Sequence, residues 1–330
     1  MQISASVRAV QVPDENPMHP MYTNIYLVGR DQALTVDSGE ALDHYRWMLR
    51  GYLAATERTE IALAAITHHH SDHSGNLKWA SEILKAEVIV HRTAVPLLRG
   101  KLPARDKVRL LDTDEVIDMG GGVRPRVLFA PGHSVDSVAY YLEDEGVLFT
   151  GDTLLGSSTT TVNALGPYRR SLKMLVGLPN LKVICPGHGA IVNDPRERLQ
   201  GLIAHRDMRE RQILELLDDR QPRTPWEIML AVYPQLDTRL RRAATGNVEA
   251  HLRDLAEQGR VLTHPGKASR PNPLKRAREV EHAKQVQRTL RAAKALEAKE
   301  KREQLRMQET PPTAQWAVQP TYEIVGRAAD

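Results

Sequence analysis

The chain has 330 residues, 41% hydrophobic and 26% charged, enough to bury the cores of about two domains. No apolar run reaches the roughly 18 residues that span a bilayer. The opening Met1–Arg8 stretch alternates like a strand and lacks the apolar run of a secretory signal, so a cytoplasmic location is expected. The single cysteine, Cys185, excludes an intramolecular disulfide and a cysteine-ligated zinc framework, and it fits a small core residue. The formal charge of +4 is unevenly placed, with a net −2 over residues 1–265 and a net +7 over 266–309. The basicity therefore belongs to a C-terminal arm of the kind that attracts phosphate-rich partners.

Taken in chain order, Ile25–Val28 and Ala33–Val36 are short strand-like runs, and the Gly29-Arg30-Asp31-Gln32 between them reads as a hairpin. Residues 41–54 carry a helical pattern of Leu42, Tyr45, Met48, Leu49 and Leu53. Ile61–Thr67 reads as a buried strand, Leu77–Lys85 as helix and Val88–Val90 as strand. Val127–Phe129, Val138–Leu142, Val147–Phe149 and Val183–Ile184 are further strands. Several of these end in clusters of His, Asp and Gly, which places chemistry on loops carried by a sheet scaffold.

Residues 206–265 form a second domain in this reading. Arg206–Leu217 is helical, and Thr224-Pro225-Trp226-Glu227 is a capping box with Pro at the first helical position. A third helix runs to about Gln258, stops at Gly259, and is followed by a short strand at Arg260–His264. Three helices and a wing make a winged-helix-like module, with Trp226 in its core. Residues 266–330 read as a basic tail. Residues 274–309 are expected to form a single exposed helix or a partly disordered stretch, because the 3-4-3 stripe of Ala283, Val286, Leu290 and Ala293 breaks at Glu297. Residues 310–330 are expected to be flexible.

The strongest chemical signal is His68-His69-His70-Ser71-Asp72-His73, which reads H-x-H-x-D-H. With 13 His in 330 residues, three at fixed places arise by chance at about one start in 16,000. His68 and His70 can turn to one side of a loop and bind one cation, while Asp72 and His73 turn to a second. His69, between them, is expected to turn away. Imidazole with carboxylate suits zinc, and also iron or manganese. Further ligands are offered by Pro131-Gly132-His133-Ser134, Gly151-Asp152-Thr153 and Pro186-Gly187-His188-Gly189. Each follows a strand and flanks its His or Asp with glycine, where backbone approaches an ion closely.

The order H-x-H-x-D-H, then His133, Asp152 and His188, resembles the metallo-beta-lactamase superfamily over about residues 1–200. That resemblance implies an α+β fold, an αββα sandwich with its site at one edge of the sheets, in a catalytic domain of residues 1–205. It also implies two divalent ions, expected to be Zn2+. His68, His70 and His133 would hold the first ion, Asp72, His73 and His188 the second, and Asp152 would bridge them. Asp37 matches the family's first acidic motif, close behind the site. Further residues resemble the beta-lactamase-like-protein-two branch: Gly151–Gly156, the Ser157–Thr161 run, Tyr168, Ser171-Leu172, His205-Arg206, Arg209-Glu210, Ile213 and Gly259-Arg260-Val261. In that branch a winged-helix-like module follows the catalytic domain, and the studied animal members cleave single-stranded RNA.

The expected chemistry is hydrolysis by a metal-bound hydroxide, with Asp72 positioning or deprotonating the water. RNA phosphodiesters lead as substrate, with nucleic-acid contact through the basic tail. A small thioester, lactone or other acyl compound is the alternative, and a nucleic-acid-binding protein with an idle site is a third reading. Residues 247–260 carry two Arg against three acids, which argues against groove reading by that helix and leaves a rim or homodimer role for the module.

Overall fold

The computed structural model describes residues 1–14, 21–56, 59–268 and 316–324. The chain divides into two compact units, Met1–Arg206 and Asp207–Asp330.

The first unit is built on two sheets. β1 (Val7–Pro13), β2 (Tyr22–Val28), β3 (Gln32–Val36), β4 (Glu60–Ala65), β5 (Glu87–His91) and β6 (Val108–Leu111) form a six-stranded sheet in sequence order. The pairs β1–β2 and β2–β3 are antiparallel, and β3 through β6 are parallel. The second sheet has the order β10-β9-β8-β7, from β7 (Arg126–Phe129), β8 (Val138–Leu142), β9 (Val147–Gly151) and β10 (Val183–Pro186). The β9–β10 pair is parallel and the two hairpin pairs are antiparallel, so β7, β9 and β10 all run in one direction.

The period-two alternation of each strand sorts its side chains between two cores. Ala9, Tyr26, Val28, Leu34, Val36 and Ile89 from the first sheet meet Val127, Tyr140, Leu142, Phe149 and Cys185 from the second. The opposite faces of the first sheet's strands, including Ile25, Leu27, Val88 and Val90, bury against Tyr45 and Leu49 of α1 (Asp43–Ala55) and Leu77 and Ala80 of α3 (Leu77–Ile83). Leu165, Tyr168, Leu172 and Leu175 of α4 (Leu165–Val176) and Leu199 and Leu202 of α5 (Pro195–Leu217) are also buried. The architecture is the expected mixed αββα sandwich. Burial pushes the Cys185 thiol well above its usual range, in keeping with a small core residue.

In the second unit the core gathers Ile213 and Leu217 of α5, Ile228 and Met229 of α6 (Pro225–Val232), and Val248, Leu252 and Leu255 of α7 (Arg241–Glu257). Trp226 packs against it. The capping box at Thr224 is formed: Thr224 Oγ1 accepts from the Glu227 amide at 3.3 Å, and Glu227 Oε2 accepts from the Thr224 amide at 2.7 Å. Such a cap stabilises by about 1 kcal/mol. The short strand β11 (Val261–His264) is followed by β12 (Lys267–Ala268).

Two sequence expectations change here. The helix expected from Arg206 begins eleven residues earlier, at Pro195; its first half buries Leu199 and Leu202 together with Arg206, and the buried arginine breaks the apolar pattern. The flexible end expected over 310–330 holds two strands, β13 (Trp316–Val318) and β14 (Thr321–Ile324), paired antiparallel with β12 and β11. Trp316–Val318 and Thr321–Ile324 are short and split by Gln319-Pro320, which reads as a loose end; β14 pairs with β11, and Tyr322 joins the core. The expected helix at 274–309 lies outside the described residues. Among the described residues, no helix is long and apolar enough to cross a membrane.

Candidate metal centre

Four strands deliver the candidate ligands. β4 leads through Ile66 and Thr67 into His68–His73, with the last of these in the single turn α2 (Ser71–Ser74). His133 follows β7, Asp152 follows β9 and His188 follows β10. Because β7, β9 and β10 share a direction, their C-terminal ends open at one edge of the sheet. The first sheet is fastened to that edge by Val138 N donating to Thr67 O at 2.8 Å and Tyr140 Oη donating to Ile66 O at 2.8 Å.

The structure brings all seven candidate residues together in two adjoining groups. His68, His70 and His133 form one; Asp72, His73, Asp152 and His188 form the other, and within each group the ligand atoms lie within 4.8 Å of one another. In the first, His70 Nδ1 is 2.8 Å from His68 Nε2 and 3.1 Å from His133 Nε2. In the second, His188 Nε2 is 3.1 Å from Asp72 Oδ2 and 3.4 Å from Asp152 Oδ1, and His73 Nε2 is 3.3 Å from Asp152 Oδ1. Asp152 turns its other oxygen, Oδ2, toward His133 Nε2 at 3.7 Å. One carboxylate thus faces both groups.

The outer nitrogens of His68, His73, His133 and His188 are held by the protein, which fixes the inner ones as donors toward the centre. Asp37 Oδ2 accepts from His73 Nδ1 at 2.8 Å, while its Oδ1 accepts from the Thr67 amide at 2.7 Å. Asp37 sits at φ 66°, a left-handed conformation that a non-glycine residue keeps only where its surroundings hold it. Thr67 Oγ1 lies 3.1 Å from His68 Nδ1. His133 Nδ1 donates to Thr161 O at 2.9 Å. His188 Nδ1 meets Thr23 Oγ1 at 3.0 Å, and that hydroxyl donates on to Asp14 at 2.9 Å. His69 bonds through Nδ1 to the buried Asp136 carboxylate at 2.9 Å.

Burial, reinforced by neighbouring imidazoles, holds His68 well below its usual pKa and brings His70 down to about 4. Burial also lowers His133. The first group therefore presents neutral nitrogens. In the second, burial would raise the carboxylic acids, but His73 and His188 outweigh it and hold Asp72 and Asp152 well below the usual range. Burial likewise opposes the charged form of His73, and Asp37, Asp152 and Asp72 overcome it.

This donor set fits divalent cations. His73 Nε2 and Asp152 Oδ1 are buried without a hydrogen bond. A Cβ at residue 187 would stand 2.6 Å from both Asp152 Oδ1 and His73 Cε1, so only glycine leaves the backbone close against these ligands. Imidazole and carboxylate donors without thiolate suit zinc, iron or manganese.

Sequence reasoning names the seven inward-facing residues and Asp37. It misses Thr23, Thr67 and Asp136 and gives no role to Thr160 and Thr161 within the Ser157–Thr161 run, since a lone hydroxyl, carbonyl or acid carries no spacing signal.

Two family descriptions match this chain. The metallo-beta-lactamase superfamily matches residues 19–188, and the beta-lactamase associated winged helix domain matches residues 224–268. A beta-lactamase-like protein 2 homolog of Caenorhabditis elegans is 30% identical over 271 residues, covering 80% of this chain and 88% of that protein. An atrochrysone carboxyl ACP thioesterase of Aspergillus fumigatus is 33% identical over 225 residues, covering 66% of this chain and 67% of that protein. A metallo-beta-lactamase family protein from Thermus thermophilus superposes with a TM-score of 0.64 at 29% identity, covering 78% of this chain and 95% of its own. With half the sequence matched by the superfamily and the candidate ligand residues converged at the strand ends, the chain belongs to the metallo-beta-lactamase superfamily and carries a winged-helix domain C-terminal to the catalytic fold in sequence.

Proposed function

We propose that this superfamily hydrolase binds two zinc ions and hydrolyses an acyl thioester or a related acyl compound. The observation that carries the dinuclear reading is Asp152, whose two oxygens face the two ligand groups separately. Ions bound there would acidify a shared water and polarise the bond under attack. Asp72, kept ionised by His73 and His188, is placed to accept a hydrogen bond from the attacking water and to orient it. The buried hydrogen bonds behind His68, His73, His133 and His188 hold the site in one geometry before substrate arrives, which lowers the cost of reaching the transition state.

Acyl substrates take precedence over RNA, reversing the order suggested by the sequence alone. A relative of 33% identity is named as a thioesterase. The helix α7, where a winged-helix protein would read a duplex groove, carries three Arg against three acids and so has no excess charge for phosphate. RNA remains the second reading because residues 266–309 hold 13 Lys+Arg against 6 acids.

A side-by-side assay separates the two. Zinc-loaded protein is offered acyl thioesters, lactones and single-stranded RNA, with Asp152→Ala in parallel. Thioester turnover that Asp152→Ala abolishes supports the proposal. RNA cleavage without acyl turnover installs the second reading, and no turnover of either sinks both.

A further inference from the structure

The segment between Asp152 and α4 has no apolar anchor across Ser157-Ser158-Thr159-Thr160-Thr161, yet it supplies the partner of a candidate ligand. Leu155 and Val162 bury at its two ends, and hydrogen bonds hold the stretch between them. Two arginines of α5, eight residues apart and so on one helix face, provide them. Arg198 Nη2 donates to Leu155 O at 3.0 Å and to Ser158 O at 2.5 Å. Arg206 Nη2 donates to Thr160 O at 2.8 Å.

Arg206 is only 1% exposed and heads the fully buried side chains by volume. Desolvating a guanidinium is expensive, so its surroundings must repay the cost. It lies over the Tyr168 ring, 5.4 Å from the centroid. Tyr168 Oη in turn donates to Thr153 O at 2.9 Å, beside Asp152. On the other side, Thr160 Oγ1 lies 3.0 Å from His133 Nδ1, and the next carbonyl, Thr161 O, accepts from that nitrogen at 2.9 Å. Asn163 Nδ2 closes the loop by donating to His133 O at 2.6 Å.

We infer that Arg206 is a positioning residue for His133, acting through the Thr160–Thr161 backbone. Its bond to the Thr160 carbonyl sets where the Thr161 carbonyl points. That carbonyl keeps the proton on Nδ1 of His133 and leaves Nε2 as the inward donor. Removing the guanidinium takes its charged donor away from the Thr160 carbonyl and loosens the segment. The donor direction of one ligand in the three-histidine group is then lost, while the Asp72, His73 and His188 contacts remain in place. The inference rests on the dinuclear reading given above.

The test uses the full chain reconstituted with zinc, and with cobalt as a spectroscopic probe. Arg206→Met, Arg206→Lys and the control Arg196→Met are compared with the unaltered protein by chelator competition and by cobalt absorption bands. Arg196, on the same helix as Arg206, donates to Val176 O at the end of α4 and to Leu178 O just beyond it, so its loss reports a structural arginine alone. Arg206→Met is expected to weaken one of the two ions by about 10- to 100-fold, leaving the other within threefold. Arg206→Lys, which keeps the charge and one donor, should recover part of the loss and covers the case in which the methionine variant does not fold. Arg196→Met should bind both ions as the unaltered protein does. Two ions held at unaltered affinity by the Arg206 variants would overturn the inference. An unaltered protein that binds fewer than two ions would instead overturn the dinuclear reading, and the inference with it.

Discussion

Replacing Tyr322 by alanine should loosen the whole second unit, although the residue lies beyond the matched winged-helix segment. Tyr322 is 7% exposed and belongs to the core formed by α5, α6, α7 and Val261. Its backbone also bridges Arg223, with N–H to carbonyl bonds of 3.2 Å and 3.1 Å in the two directions. A buried aromatic side chain covers on the order of 200 Å2, worth about 5 kcal/mol at about 25 cal/mol per Å2. The hydroxyl and the methyl retained by alanine reduce that, so a loss of about 3 kcal/mol is expected. Amide hydrogen exchange reads it locally: peptides from α7 should exchange about a hundredfold faster, while peptides from β4 and β9 keep their rates. Excision of residues 269–315 is the control. Ala268 pairs with Trp316, so a short turn can rejoin the chain there, and the α7 rates should stay within a few fold of the parent. Unchanged α7 protection in Tyr322→Ala would refute the assignment of β14 to the core.

The remaining predictions concern the catalytic unit. Gly187→Ala puts a methyl 2.6 Å from Asp152 Oδ1 and His73 Cε1; it should cut bound metal and hydrolysis at least tenfold, and a fully loaded, active variant would contradict the close approach. Asp37→Asn removes the anion behind His73 Nδ1 and is expected to weaken ion binding about 10- to 100-fold with the fold intact, as read by chelator competition and circular dichroism. Dialysis against EDTA should abolish hydrolysis and lower Tm, and zinc should restore both; an ion held at 1,000 times its Kd contributes about 4 kcal/mol per site. Burial would raise the Glu145 carboxyl, but hydrogen bonding from Ser4 and Ser6, helped by the Arg30 charge, outweighs it and holds the group below its usual range. A carboxyl lowered in the folded state stabilises above its unfolded pKa, about 4.3, and that contribution fades as pH falls. Glu145→Gln should therefore have a lower urea midpoint than the parent at pH 7, and the gap should close toward pH 3; a constant gap would argue against the linkage.

The strands and the seven residues that converge as candidate ligands could be read from the chain because their signals are local. A run of β-branched and aromatic residues followed by glycine and a histidine or aspartate marks a strand end that carries chemistry, whatever packs beside it. Helix α4 was within reach too, since Leu165, Tyr168, Leu172 and Leu175 follow helical spacing, but Gly166-Pro167 at its start reads as a turn. The first half of α5 was hidden for a different reason: its buried face includes Arg198 and Arg206, which a hydrophobicity pattern counts as solvent-facing. Tertiary structure alone decided what stands behind the ligands. Thr23 reaches His188 across 165 positions, and Arg206 reaches Thr160 across 46. It alone decided that β14 closes the second unit from the far side of a 47-residue segment. A ligand side chain announces itself by its own chemistry, whereas a supporting hydroxyl, carbonyl or edge strand acquires its role only when folding leaves a buried donor or an open ladder beside it.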